Sequence, residues 1–284
     1  MMSSIPLRMI VLPLVLFFLN APSNAQTISG QVIGEDHTKL SYVNIGILGT
    51  STGTVSDEHG KFELFLNDNP LDSDTLCVSI IGYKSQYFRL KNIKSPLFVT
   101  LEQENIVLDE IVVMPEFSTQ KVKGNKMERG LMRVNFSIAN KPRQNLGAEI
   151  GKKFRVKKNK RTHVQSLRFF VHSNNFKEVK FRALFYSVKK GKPDKYLTNH
   201  DIICTLNDQQ RGWVEVDLTE YRIMTEHNFI ASIEWIDASS EGSLLALPIN
   251  MPLPGGHHYY KFGSQAKWKH FRNMSSSMNV TLAY

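Results

Sequence analysis

Apolar and polar residues alternate with period two along most of the chain, the signature of strands with one buried face. In YVNIGIL, Val43, Ile45 and Ile47 share a face. Phe62, Leu64 and Leu66 do so in KFELFL, Leu76, Val78 and Ile80 in LCVSII, and Leu97, Val99 and Leu101 in LFVTL. The alternation lapses over MPEFSTQKVKGNKME, residues 114–128, which predicts a polar linker. It then resumes. LMRVNFSI aligns Met132, Val134, Phe136 and Ile138, and SLRFFVHS aligns Leu167, Phe169 and Val171. VKFRALFYSV turns Val179, Phe181, Ala183 and Phe185 inward and Lys180 and Arg182 outward. WVEVDL buries Val214 and Val216, FIASIEW stacks Phe229, Ala231, Ile233 and Trp235, and NVTLAY closes with Val280, Leu282 and Tyr284. No helical stripe of useful length competes. The pattern predicts an all-β chain with one β-sandwich over 26–113 and a second over 129–284.

The first 25 residues stand apart from this pattern. Arg8 precedes an apolar run, Met9 to Leu19, that is shorter than the ~20 residues needed to span a bilayer. Small residues follow at Ser23 and Ala25, which predicts a cleaved signal peptide over 1–25 and an exported protein. The destination is the periplasm, the outer membrane or the exterior. Charge divides the remainder: residues 26–113 hold 6 Lys+Arg against 12 Asp+Glu, and residues 114–284 hold 28 against 14. A basic half of this kind can meet an acidic partner. The two cysteines, Cys77 and Cys204, fall one in each domain within strand-like runs, and read as inert buried thiols rather than a disulfide framework.

The stretch SDEHGK over 56–61 places Asp57, Glu58 and His59 before Gly60, between two strand-like segments. A calcium loop needs oxygen ligands at alternate positions, and only Asp57 meets that spacing. Asp as turn starter and Gly as the positive-φ residue suit a hairpin connection. The stretch GQVIGEDHTKLSYVNIGILGTSTGTVSDEHGKFEL, followed by LCVSIIGYKS and LDEIVV, resembles the carboxypeptidase regulatory-like domain. The matching features are Gly30, YVNI at 42–45, GT at 53–54, DEHGKF at 57–62 and IGY at 81–83. The resemblance implies a seven-stranded, transthyretin-like sandwich without catalytic activity. It also implies a setting like that of Bacteroidetes TonB-dependent outer-membrane transporters, which carry such a domain ahead of the plug. The 171 residues after Val113 are too few for a plug and a barrel. The strand order of the second sandwich resembles a jelly roll of the kind used by carbohydrate-binding and adhesin modules.

Two segments carry candidate binding chemistry. KKFRVKKNKR at 152–161 supplies Lys152, Lys153, Arg155, Lys157, Lys158, Lys160 and Arg161 as a polyanion surface, or as a lysine-rich edge that blocks strand pairing. PLPGGHHYYKFG at 252–263 gathers His257, His258 and Tyr259, with Trp268 close behind, as a ligand-binding loop of the aromatic type that stacks on sugars. The alternative there is packing, with Tyr260 and Phe262 inward and Tyr259 outward. Adjacent strand residues His257 and His258 point opposite ways, so no metal site is predicted, and no cofactor motif is present. Glu234 is expected to pair across strands with Lys180 or Arg182. Nucleophile-elbow, zincin, P-loop and dinucleotide motifs are missing. These features point to a non-catalytic envelope protein whose second sandwich binds a glycan or other envelope component while the first acts as a docking module. Nucleic acid is not an expected partner of an exported chain. The alternatives are an assembly partner of an outer-membrane TonB-dependent system, associated peripherally with that membrane, and, less favoured, a glycan-active hydrolase.

Overall fold

The computed structural model describes residues 26–66, 71, 73–104, 117, 119–137, 143–157 and 160–284. Residues 1–25, where a signal peptide is expected, the LDEIVV stretch, Ile138 and Lys158 lie outside the described residues. Seven strands build the first sandwich: β1 (Thr27–Gly34), β2 (Asn44–Ile47), β3 (Gly53–Val55), β4 (Lys61–Phe65), β5 (Thr75–Ser79), β6 (Gln86–Arg89) and β7 (Leu97–Leu101). They form two sheets, β4-β1-β7 and β3-β2-β5-β6. The alternating apolar positions meet between them: Ile28, Val32, Val43, Ile45, Phe62, Leu64, Leu76, Val78, Val99 and Leu101 form one core.

The turn at SDEHGK is present, but it is not a hairpin. β3 pairs with β2 and β4 with β1, so the turn carries the chain from one sheet to the other. Asp57 closes it: its Oδ1 accepts the amides of His59 and Lys61, each at 2.8 Å, and its own amide donates to the Lys61 carbonyl at 2.8 Å. Gly60 has φ +74°, and a Cβ there would sit 2.4 Å from the Val32 carbonyl oxygen. Local residue chemistry specified the turn; the cores on either side decided which sheet each strand joined.

The second sandwich contains β8 (Gln120–Gly124), β9 (Met132–Asn135), β10 (Glu149–Phe154), β11 (Thr162–Val171), β12 (Ser173–Asn174), β13 (Glu178–Lys189), β14 (Lys192–Tyr196) and β15 (Ile202–Asn207). It continues with β16 (Gly212–Asp217), β17 (Met224–Thr225), β18 (Phe229–Ala238), β19 (Leu245–Asn250), β20 (His257–Lys261), β21 (Lys269–Arg272), β22 (Ser275–Ser276) and β23 (Met278–Ala283). A large sheet runs β14-β13-β18-β10-β20-β21, with β15 also on β13. It packs against β16-β11-β23-β8 and a smaller sheet, β12-β19-β22 with β9. The core between them includes Phe136, Phe169, Phe181, Phe185, Phe229 and Trp235, as the alternation predicted.

Part of the stretch read as a linker belongs to this sandwich. β8 pairs antiparallel with β23, Gln120 opposite Ala283 through Gly124 opposite Asn279. Its sequence, QKVKG, shows no apolar period because β8 is an edge strand with both faces largely in solvent. Lysines on such an edge discourage pairing with another chain. Met132 also departs from the reading, lying exposed while Val134 and Phe136 of the same run pack inward.

Substituting Gly60 with Ala adds a Cβ against a backbone oxygen and imposes a left-handed conformation on a side-chain-bearing residue. The expected loss is roughly 1–3 kcal/mol in urea denaturation. An unchanged midpoint would show that the turn relaxes freely.

Candidate functional site

The outward face of the large sheet carries the polar residues that alternation sent away from the core, and the first domain covers much of it. Across four neighbouring strands, four charged residues stand in register. Arg182 of β13 lies opposite Glu234 of β18, Glu234 opposite Glu149 of β10, and Glu149 opposite Lys261 of β20. The row reads plus, minus, minus, plus. Arg182 and Glu234 are each 1% exposed and Glu149 is fully buried.

The row is closed by short polar contacts. Arg182 donates from Nη1 to Glu234 Oε2 at 2.8 Å and from Nε to Asp201 Oδ1 at 2.5 Å. Its Nη2 donates to the Tyr42 carbonyl at 2.8 Å. Lys261 Nζ lies 2.8 Å from Glu149 Oε2, while Glu149 Oε1 accepts from Tyr186 at 2.9 Å and Ser232 at 2.5 Å. Asn44 of the first domain donates its amide to Glu234 Oε1 at 2.8 Å. Burial opposes the charged form of both Arg182 and Lys261, but the neighbouring carboxylates outweigh it and raise both above their ordinary values. Burial and Glu149 hold the Tyr186 hydroxyl protonated well above the usual range.

The first domain meets this face with neutral groups. Besides Asn44 and the Tyr42 carbonyl, the Tyr42 hydroxyl accepts from Lys180 at 2.9 Å, and the Lys180 ammonium lies 5.3 Å from the Tyr42 ring centre. Tyr42 adopts φ +56°, a left-handed conformation costly for a bulky residue, at a position where both its backbone and its side chain bind the partner domain. In return, Ser264 donates to the Ile45 carbonyl at 2.8 Å, and Gln265 donates to Ser79 Oγ at 2.8 Å. Ser264 fits because two glycines make room: a Cβ on Gly46 would lie 2.8 Å, and one on Gly53 2.5 Å, from its Oγ. This contact gives Gly53 of the GT motif a role in domain docking. Apolar packing completes the seam, with Ile81 of the first domain against Leu184, Tyr186, Ile230 and Tyr259.

A cleft of about 880 Å³ opens beside this junction. One wall is the outer face of β4-β1-β7, where Phe65 and Phe98 project at 52% and 72% exposure among Gln31, Glu63 and Lys61. The other wall carries Arg143, whose Nη2 bonds Asp237 Oδ1 at 3.0 Å, and Ile236.

The residues singled out in the sequence fall into separate places. Tyr259 is fully buried: its ring stacks on His270 with centres 4.4 Å apart, its edge meets Trp268, and its hydroxyl donates to the Gly191 carbonyl at 2.9 Å. It therefore has no free ring face. Trp268 is half-buried at the domain seam, with Lys261 Nζ 5.5 Å from its ring. His258 is buried on the opposite sheet face, near Phe271, and burial together with Lys152 pushes it down to about 4. His257 faces His270 instead. Of the basic run, Lys152 is buried with its ammonium on Ser275 Oγ, Lys153 is half-exposed, and Arg155, Lys157, Lys160 and Arg161 are exposed. Alternation within the run thus separates Lys152 from the rest. Glu234 pairs with Arg182, as expected. Cys77 and Cys204 are free thiols, Cys77 buried and Cys204 half-buried, and burial raises both, Cys204 to about 11. No group of three or more His, Cys, Asp or Glu able to hold a metal occurs among the described residues. None of the helices there is long and apolar enough to cross a membrane.

Known proteins bear on the first domain. Residues 28–113 match the CarboxypepD_reg-like domain family, and the first sandwich is a domain of that family. The chain is 36% identical over 92 residues to the TonB-dependent receptor P39 of Formosa agariphila, and 31% identical over 119 residues to the TonB-dependent receptor SusC of Bacteroides thetaiotaomicron. Those alignments take in 32% and 41% of this chain but only 8% and 11% of the receptors. Among solved structures, the cysteine protease and lectin-like domains of Cwp84 from Clostridium difficile superpose with a TM-score of 0.41 at 10% identity, covering 86% of this chain and 58% of that one. A likeness at that level carries no functional weight.

Two measurements test the junction. Arg182→Met leaves Glu234 and Asp201 without their shared cation and is expected to cost roughly 3–5 kcal/mol. Urea unfolding followed by tryptophan fluorescence, all three tryptophans lying in the second sandwich, reads that loss; a midpoint near wild type would remove the row from the forces joining the domains. Burial lowers Lys152 to about 8 from an ordinary 10.5, so the unfolded chain binds more protons between those values. Stability attributable to Lys152 therefore rises as pH climbs through that window, by at most about 3 kcal/mol. Lys152→Met is expected to flatten this part of the pH profile, measured against wild type; parallel profiles would refute the assignment.

Proposed function

We propose that this protein is a non-catalytic component of a bacterial envelope, working with an outer-membrane TonB-type system, and that it binds a glycan in the cleft between its two sandwiches. The observation that carries the reading is the pair of exposed phenyl rings, Phe65 and Phe98, on one wall of that cleft. Flat apolar rings stack on the faces of sugar rings, and the surrounding Gln31, Glu63 and Arg143 offer donors and acceptors to hydroxyls. The envelope setting draws on the TonB-dependent receptors that share the first domain, and on the export signal read in the sequence.

A hydrolytic reading has less support. Glu149 and Glu234 are the two carboxylates facing each other across strands, but Lys261 and Arg182 engage them and the first domain covers them. A glycosidase pair needs a substrate-filled gap between its carboxyls and one group able to give up a proton.

The test is the melting temperature of the full chain against neutral and acidic oligosaccharides, since a ligand that binds only the native state raises it. A neutral oligosaccharide is expected to raise the midpoint, and Phe65→Ala with Phe98→Ala to abolish the rise while leaving the unliganded midpoint close to wild type. A rise that survives the double substitution, or no rise with any glycan, overturns the cleft as a sugar site.

A further inference from the structure

The face that carries the buried charged row continues into solvent. Antiparallel register sets Tyr259 opposite His270 and His257 opposite Arg272. Lys152 lies opposite His258, so the next residue, Lys153, comes beside His257. Lys153, His257 and Arg272 thus form a second row on the same face as Glu149 and Lys261, with Arg155 beyond it. Arg155 and Arg272 are exposed, and Lys153, His257 and His270 are half-exposed. His257 Nδ1 lies 2.9 Å from His270 Nε2, and the two rings stack with centres 5.1 Å apart. The Gly191 carbonyl, held by Tyr259, brings the turn bearing Lys189, Lys190 and Lys192 to the rim.

The two rows differ in one respect. Arg182 and Lys261 have carboxylates in contact, whereas among the described residues no carboxylate lies within 4.0 Å of Lys153, Arg155 or Arg272. Glu149, the acid on β10 of this face, is already taken by Lys261, Tyr186 and Ser232. The charges acting on the two imidazoles are Lys153 and Arg155 from the β10 side and Arg272 from β21, all cationic. Such a setting repels a metal ion and attracts an anion. Guanidinium and imidazole N–H groups on adjacent strands are the donors that oxyanions of phosphate and sulfate accept from.

We propose that Lys153, His257, His270 and Arg272, with Arg155 at the margin, form a binding site for a phosphate or sulfate ester. The stacked histidines make that site pH-sensitive. At neutral pH they share a proton between ring nitrogens and add no full charge, because burial and the neighbouring cations hold both below the usual 6.5. As pH falls they gain protons, and a bound oxyanion favours that charged form. Affinity therefore rises towards acid.

Calorimetric titration of the full chain with inorganic sulfate, whose charge is constant in this range, tests the site at about pH 5.5 and about pH 7.5. Binding is expected to tighten roughly tenfold at the lower pH. Lys153→Gln with Arg272→Gln is expected to weaken it roughly tenfold or more at both. His257→Gln with His270→Gln is expected to keep the neutral-pH affinity and lose the tightening. Lys160→Gln with Arg161→Gln removes the same charge from the neighbouring segment and is expected to change little. Equal losses in the two charge-removing variants, a flat wild-type pH profile, or no saturable binding would each overturn the proposal. Inorganic pyrophosphate and phosphatidylglycerol vesicles distinguish the source: binding to pyrophosphate but not to vesicles assigns a soluble ligand, and binding to vesicles assigns a lipid headgroup. Because the probes lack sugar rings, the outcome is separate from that of the cleft.

Discussion

At the centre of the seam between the two sandwiches stands a row of four side chains, Arg182, Glu234, Glu149 and Lys261, on a sheet face that leaves the core behind. Two carboxylates directly opposite each other on neighbouring strands repel, and burial makes that repulsion worse. Glu149 and Glu234 tolerate it because Lys261 and Arg182 flank them in the same row. Even so, a buried pair is stable only when its remaining hydrogen-bonding positions are filled. The first domain fills two of them. Asn44 takes an oxygen of Glu234, and the Tyr42 carbonyl takes a guanidinium proton of Arg182. Removing the first domain would leave those groups to water, so domain docking and sheet electrostatics form one problem with one solution.

This arrangement bears on what the molecule can do. A cleft between domains keeps its shape only if the domains hold their relation, and here that relation is set by directional bonds as well as by apolar contact. Ser264 in its glycine notch, Gln265 on Ser79, and Arg182 on the Tyr42 carbonyl each tolerate little displacement. Phe65 and Phe98 lie across from Arg143 as a consequence of contacts on another side of the interface. A preorganised cleft loses less entropy on binding than one that must first assemble.

The strands and most of the core were legible in the sequence because a half-buried strand writes its burial as alternation. Val179, Phe181, Ala183 and Phe185 are inward, as read, and Arg182 is outward from that core. What alternation could not report is that outward from one core is inward to another. Arg182 is buried by Tyr42, a residue 140 positions away, and no local pattern encodes that contact. The same limit applies to Tyr259, which faces away from the main core yet is covered by Trp268, His270 and the turn at Gly191. One clue was present. β2 reads NIGI, with an asparagine and a glycine on the face opposite its core, and all four residues are buried. A buried small residue beside a buried amide marks a face that another body approaches. β8 escaped for the opposite reason: as an edge strand with two solvated faces it carries no apolar period to find.

The charge difference between the halves invites the idea that the acidic domain neutralises the basic one. The contacts say otherwise. Every ion pair resolved among the described residues lies within one domain: Lys84 with Glu102 in the first, and Arg182, Lys261, Lys180, Arg143 and Arg168 with their partners in the second. Across the seam the first domain offers the Asn44 amide, the Tyr42 and Ile45 carbonyls, the Tyr42 phenol and the Ser79 hydroxyl. Neutral donors and acceptors avoid desolvating a further charge on the first-domain side, which suits a stable seam. The consequence is that no carboxylate of the first domain pairs with a cation of the second among the described residues. On the face shared by both rows, Glu149 and Glu234 are fully committed to Lys261 and Arg182. Among the described residues, Lys153, Arg155 and Arg272 therefore lie beyond the reach of the acids that share their face, and this surplus of positive charge is what suits the face to an external oxyanion.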